Sequence, residues 1–175
     1  YYQDSPDAGP DTTLCLTSGL FDLITGTPSG GTWSGTGVSG NQFDPLAADT
    51  GNHWIYYTVS GCIDSLNIQV YEVDAGPIQA GCPGGGGFAL VGSPNGGFWT
   101  GPSIDSTGFF FNDSIASYTV FYHFADCIDS TVVNIDSLVV FPEDSICETD
   151  PVDSLFATPY GGVWNGPGIV DSIVG

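Results

Sequence analysis

The chain has no lysine, no arginine and no methionine in 175 residues, against 20 acidic side chains and a formal net charge of -20. Without a basic side chain, no Lys or Arg ion pair can form. Stability must come from apolar burial, hydrogen bonds and cross-links. Nothing is present to neutralise phosphates, which argues against nucleic acid as a partner. An anionic membrane surface would repel the chain. No signal peptide is evident and no apolar run approaches the ~18 residues of a membrane span, so membrane insertion is not expected. Proteases that cut after Lys or Arg find no site, which suits a structure that persists outside cells. With no Met in the sequence, the expectation is a processed or partial product. Hydrophobic residues make up 41% and aromatics 13%, and that content favours a packed core over disorder.

The sequence repeats itself at a period of about 66 residues. The strings GGTWSGTGV at 30–38, GGFWTGPSI at 96–104 and GGVWNGPGI at 161–169 place Trp33, Trp99 and Trp164 at intervals of 66 and 65. Cys-Ile-Asp-Ser recurs at Cys62–Ser65 and Cys127–Ser130, and Asp-Ala-Gly-Pro at 7–10 and 74–77. Alternating apolar residues at Leu66–Val73 and Trp54–Val59 read as strands, as do Phe109–Phe111 and Tyr118–Tyr122. Turn signals at Thr27–Gly31 and Ser93–Gly97 separate such strands, and no segment has a helical period. The expectation is an all-β chain of tandem, small Ig-like β-sandwich repeats of about 66 residues, stapled by disulfides. Its divisions are 1–10, the end of a preceding repeat and linker; 11–76, repeat one; 77–142, repeat two; and 143–175, a partial repeat three.

Cysteines follow this register. Cys15 and Cys62 flank the body of repeat one, Cys82 and Cys127 that of repeat two, and Cys147 opens repeat three. With an extracellular setting assumed, the expected bonds are Cys15–Cys62 and Cys82–Cys127, each contributing up to ~4 kcal/mol by loop closure. Cys147 is expected to be unpaired within this window, because its partner in repeat three would lie beyond Gly175. Tyr1-Tyr2-Gln3 aligns with Ile68-Gln69-Val70, the last strand of a repeat. The simplest expectation is therefore a window on a longer array. The alternative is a subunit whose third repeat is completed by a neighbour's strand.

One tripeptide stands apart from the repeat: Asp, then Ser or Thr, then an aliphatic residue or Thr. Of 17 Asp, 11 precede Ser or Thr, where an even spread of the 32 Ser and Thr would give about three. In nine cases the third residue fits too, with the hydroxyl at Thr12, Ser65, Ser106, Ser114, Ser130, Ser137, Ser145, Ser154 and Ser172. This resembles the O-glycosylation sequon of secreted Bacteroidota proteins. The repeat pattern is carried in repeat one by Cys15, Phe21, Gly30-Gly31-Thr32-Trp33-Ser34-Gly35, Phe43-Asp44-Pro45, Trp54–Val59 and Cys62. It is similar to the Ig/PKD-like repeats of large Bacteroidota cell-surface proteins, including gliding-motility adhesins and extracellular fibres. Repeat two departs from the pattern by lacking Phe-Asp-Pro. The resemblance implies an extracellular or cell-surface location, covalent O-glycans at the nine hydroxyls, self-association or contact with neighbouring repeats, and a structural or adhesive role.

Other readings compete for the same residues. Asp-Ser pairs make Asx and ST turns, which suits Asp105-Ser106 and Asp171-Ser172. It does not suit Asp136-Ser137-Leu138, which reads as strand. A structural calcium ion between repeats would use Asp7, Asp11 or Asp74, although the aspartates are dispersed and no cofactor or metal is otherwise indicated. Asn112-Asp113-Ser114 fits an N-glycosylation acceptor. Trp33, Trp99 and Trp164 suit core packing better than sugar stacking. His53 and His123 occupy non-equivalent places in their repeats, and Gly84–Gly87 has no following Lys for phosphate. The chain is not expected to be an enzyme. Two roles remain: a segment of a glycosylated fibre or stalk, and an adhesin repeat that binds glycans or a host surface.

Overall fold

In the computed structural model, residues 5–141, 155–158, 162–167 and 169 are described. They form two Ig-like sandwiches in tandem and the start of a third unit. In the first unit the strands are β1 (Thr12–Cys15), β2 (Phe21–Asp22), β3 (Thr32–Ser34), β4 (Val38–Ser39) and β5 (Gln42–Phe43). A short helix, α1 (Pro45–Ala48), leads to the long strands β6 (Gly51–Val59) and β7 (Cys62–Tyr71). One sheet runs β1-β7-β6-β3 and the facing sheet β2-β5-β4, with β1 parallel to the last strand β7. Two facing sheets packed over a core of alternating inward-facing side chains are the architecture of the Ig-like sandwich.

The second unit repeats this plan. Its strands are β8 (Gln79–Gly81), β9 (Phe88–Ala89), β10 (Phe98–Thr100), β11 (Phe109–Phe110), β12 (Ala116–Phe124) and β13 (Cys127–Ile135). The larger sheet runs β10-β12-β13-β8, again with the first strand parallel to the last, and β11 pairs β9 opposite it. Antiparallel bridges Asp7 to Thr27 and Asp74 to Ser93 open the two units. Strand β14 (Val139–Phe141) pairs β15 (Phe156–Thr158), with Val139 opposite Thr158. That pair lies 65 residues beyond the Asp74–Ser93 bridge, so a third unit starts the same way. Ala8 lies in the first core and Ala75 in the second. Each unit therefore begins at Asp-Ala-Gly-Pro, a few residues before the divisions at 11 and 77.

Alternation builds both cores. Leu66, Ile68 and Val70 of β7 point inward onto Phe43, Ile55 and Tyr57. Val133 and Ile135 of β13 meet Phe110, Val120, Tyr122 and Trp99 in the same way. The two clusters share no residue, so each unit has its own core. Val59 pairs Cys62 across a two-residue turn. Ser60 and Gly61 both take positive φ there, 51° and 82°, the geometry that lets a tight hairpin follow the twist of its strands.

The Gly-Gly-x-Trp motif is a packing device. The Tyr57 ring lies 4.7 Å from Trp33, and its hydroxyl donates to the Pro28 carbonyl (2.7 Å) while accepting from Gly31 N–H (2.9 Å). Tyr122 treats Trp99, Pro94 and Gly97 alike, at 5.0, 2.5 and 2.9 Å. A Cβ on Gly92 would meet the Tyr122 ring at 2.5 Å, so glycine is required there. The motif tryptophans of the first two units thus serve the core: Trp99 is buried and Trp33 packs against its cluster.

Phe-Asp-Pro starts the helix that periodicity did not reveal. Asp44 accepts Leu46 N–H as the N-cap and Pro45 takes the first turn, the position where its missing N–H costs nothing. Repeat two has no helix at that place and uses Asn112 instead. This side chain is 5% exposed, accepts Gly87 N–H at 2.7 Å and donates its amide to the Cys82 carbonyl. An amide enclosed and bonded in this way is closed to glycosylation, which corrects the N-glycan reading of Asn112. Asn112→Asp removes the donor and sets a carboxylate against a carbonyl. The expected cost is about 1–3 kcal/mol, seen as faster hydrogen exchange at Gly87.

The disulfide differs from both expected bonds. Cys15 joins Cys127, 112 residues away, with Cα atoms 5.5 Å apart. Cys62 and Cys82 are exposed free thiols. The reason is strand direction. Cys15 lies beside Tyr71, at the end of β7, whereas Cys62 starts that strand. Nine residues of strand put them ~30 Å apart, far beyond the ~7 Å limit for Cα atoms in a disulfide. Cys82 follows Gly81, which pairs with Ile135, while Cys127 starts β13 at the opposite end. The bond therefore ties one unit to the next instead of closing either. Beside it, Tyr71 of the first unit meets Phe124 of the second edge-on at 5.0 Å. Cys147 lies outside the described residues.

Candidate modification surface

The repeated Cys-Ile-Asp-Ser motif starts β7 and β13. There the three tripeptide residues divide the labour. Asp64 accepts Ala8 N–H and Asp129 accepts Ala75 N–H, both at 2.8 Å. The third residues, Leu66 and Thr131, point into the cores. The middle residues, Ser65 and Ser130, lie on the opposite face by the period-two rule. Ser130 is exposed and Ser65 half-buried. Their cross-strand neighbours are Tyr56 and Phe121, 44% and 41% exposed. Trp54 on β6 and Phe98 on β10 add further open aromatic surface.

The other tripeptides occupy varied structures. Asp105 accepts Thr107 N–H at 2.9 Å, the Thr107 hydroxyl at 2.6 Å and Phe109 N–H at 3.0 Å, so the Asx-turn reading holds there. These bonds, led by the Thr107 hydroxyl, hold the Asp105 carboxyl below its ordinary value of 3.8. A depressed folded pKa means that its stabilisation is present above 3.8 and is lost as pH falls through the lower folded value. A carboxyl NMR titration should place the Asp105 midpoint below 3.8, and Thr107→Val should raise it.

Ser106 and Ser114 are exposed at the turn and at a bend before β12. Ser137 is exposed too, but it lies in the connection after β13 ends at Ile135, which corrects the strand reading of Asp136-Ser137-Leu138. Thr12 is half-buried on the Leu14 side of β1, while Asp11 accepts Asn67 N–H at 2.8 Å. It lines an open polar groove of about 480 Å³ with Asp11, Thr13, Asn67, Gln69 and, from the second unit, Asp126. Ser145, Ser154 and Ser172 lie outside the described residues.

One property unites the six described positions. Among the described residues, the Ser and Thr hydroxyls that bond inside the protein belong to Ser18, Thr25, Thr100, Thr107 and Ser117. None is the middle residue of a tripeptide. The fold uses the aspartate in at least four tripeptides and leaves the hydroxyl free.

The acidic residues named for calcium are also engaged with backbone. Asp7 and Asp74 accept Gly9 and Gly76 N–H, at 2.8 and 2.7 Å. Among the described residues, no group of three or more metal-ligating side chains converges. His53 bonds the Asp49 carbonyl at 2.9 Å, and His123 stacks on Phe98 and bonds the Thr100 hydroxyl. The register sets His53 opposite Ile68 and His123 opposite Ile128, which confirms that they are not equivalent.

No protein-family model and no curated protein matches the chain. Among solved structures it is similar to extracellular domains 3–5 of Drosophila OTK, at 14% identity, 76% of this chain, 60% of that chain and a TM-score of 0.31. For titin I67–I69 the values are 15%, 77%, 64% and 0.28. For the eight N-terminal Ig domains of DSCAM they are 12%, 81%, 29% and 0.32. The chain spans less than two thirds of each of these structures. The Ig-like class rests on the strand order itself.

Proposed function

We propose that this chain is a structural segment of an extracellular, O-glycosylated fibre or stalk of tandem Ig-like units on a bacterial surface. The observation that carries this reading is the free hydroxyl at every described tripeptide, beside an aspartate that the fold already uses in four of the six. A sugar on Ser65 or Ser130 would lie over Tyr56 or Phe121, directly across the strand pair, where side chains are close enough to touch. Aromatic rings left open on a sheet face would then be covered by the apolar faces of the sugar rings. With a net charge of -20 and no Lys or Arg, such a coat keeps sheet surfaces hydrated and blocks edge pairing. The role is mechanical spacing and shielding, with no catalytic step and no cofactor.

The exposed Trp54, 56% accessible, favours a second reading, an adhesin unit that stacks on foreign glycans. Intact-mass spectrometry of the native protein separates the two. Excess mass in sugar increments, removed by base-catalysed elimination from Ser and Thr, is the expected result. A bare native chain that binds a glycan array, with Trp54→Ala abolishing binding, would establish the adhesin reading instead.

A further inference from the structure

The Cys15–Cys127 bond joins two positions that each occur twice. Cys15 ends β1, and Cys82 directly follows β8; β1 and β8 are the parallel partners of β7 and β13. Counting along the shared register, Thr12 opposite Ile68 corresponds to Gln79 opposite Val133, which makes Cys15 and Cys82 equivalent. Cys127 starts β13 after a two-residue turn from Phe124, as Cys62 starts β7 after the turn from Val59. The observed bond therefore runs from the first cysteine of one unit to the second cysteine of the next. Covered by that joint, Cys127 is only 2% exposed, whereas its equivalent Cys62 is exposed. The same contrast separates half-buried Cys15 from exposed Cys82.

We propose that Cys62 and Cys82 are the two open halves of this same inter-unit disulfide, and that the partner of each is a neighbouring unit of the same Ig-like build. Cys82 bonds the second cysteine of a following unit, and Cys62 bonds the first cysteine of a preceding one. The two ends differ, so the contact is head-to-tail and propagates without closing. Every joint of the array is thereby covalent, and pulling the units apart requires breaking a bond as well as a surface. Each link forms when two thiols give up two protons and two electrons to a disulfide oxidant, which leaves as two thiols. The inference rests on the tandem-array reading but not on the sugars, and its test reads cysteines only.

Peptide mapping of the native protein, alkylated before reduction, decides it. Cys15–Cys127 should appear as one linked peptide. Cys62 and Cys82 should take no label until reductant is added, and each should be found linked to a cysteine at the complementary position of another unit. If Cys82 is linked to Cys62, the neighbour is a second copy of this chain. If its partner lies outside these 175 residues, the neighbour is a further unit of a longer chain. Full labelling of Cys62 and Cys82 in the unreduced native protein would overturn the proposal, as would Cys15–Cys62 and Cys82–Cys127 linkages. For recombinant chains carrying Cys147→Ser and oxidised with glutathione disulfide, neither C62S nor C82S should dimerise alone, and a mixture should give one-to-one dimers. Homodimers forming as readily as mixed dimers would show unspecific thiol chemistry and sink the idea.

Discussion

Tyr122→Ala is expected to destabilise the second unit by about 3–5 kcal/mol, the range for removing a large buried aromatic side chain. The residue is 3% exposed and its ring packs on Trp99. Its hydroxyl also joins two loop atoms, the Pro94 carbonyl and the Gly97 N–H. Tyr122→Phe keeps the ring and loses both bonds, leaving a donor and an acceptor without partners. That should cost about 1–3 kcal/mol. A small domain has only several kcal/mol in hand, so the alanine variant should lose the second unit at room temperature while the first stays folded. Hydrogen exchange of amides in β6 and β7 against those in β12 and β13 measures this directly. Equal loss of protection in both units would mean that they do not fold on separate cores.

The disulfide makes the second large effect. In the recombinant chain, Cys15→Ser should lower global stability by up to about 5 kcal/mol, the chain-entropy value for a loop of roughly a hundred residues. Cys62→Ser should change little, because its thiol is exposed and unbonded. If the bond were Cys15–Cys62, the two substitutions would have matching effects. Urea unfolding of the two variants therefore distinguishes the pairings without any chemical mapping. Since each unit has its own core, the circular dichroism of the folded Cys15→Ser chain should remain that of the unsubstituted protein.

The elements that were legible in the sequence are those with strong periodicity. Alternation placed β6 and β7 because one face of each strand is buried, a run of β-forming residues placed β12, and the Trp spacing exposed the repeat. What escaped was long-range pairing. The parallel contact of β1 with β7 has no local signature, yet it alone places Cys15 at the far end of the strand from Cys62. Helix α1 is a single turn, too short for a 3.6-residue period, although Asp44-Pro45 carried the N-cap signal. Asn112 looked like a sugar acceptor because sequence shows the motif and not the burial.

The tripeptide is over-represented in the sequence, but only the structure divides its three residues. At Asp64 and Asp129 the carboxylate holds the Asp-Ala-Gly-Pro turn of its own unit. At Leu66 and Thr131 the third side chain enters the core. That explains part of the restriction on the third position by packing alone. It leaves the outward hydroxyl as the residue for which the fold has no use.

That hydroxyl is where the account is most exposed to test. Glycopeptide mapping of the native protein, with electron-transfer fragmentation to localise mass on single residues, should find sugar on Ser130 and Ser65, and none on Asn112 or on the bonded hydroxyls of Thr25 and Thr107. Unmodified Ser65 and Ser130 in the native protein would contradict the glycosylated-fibre account.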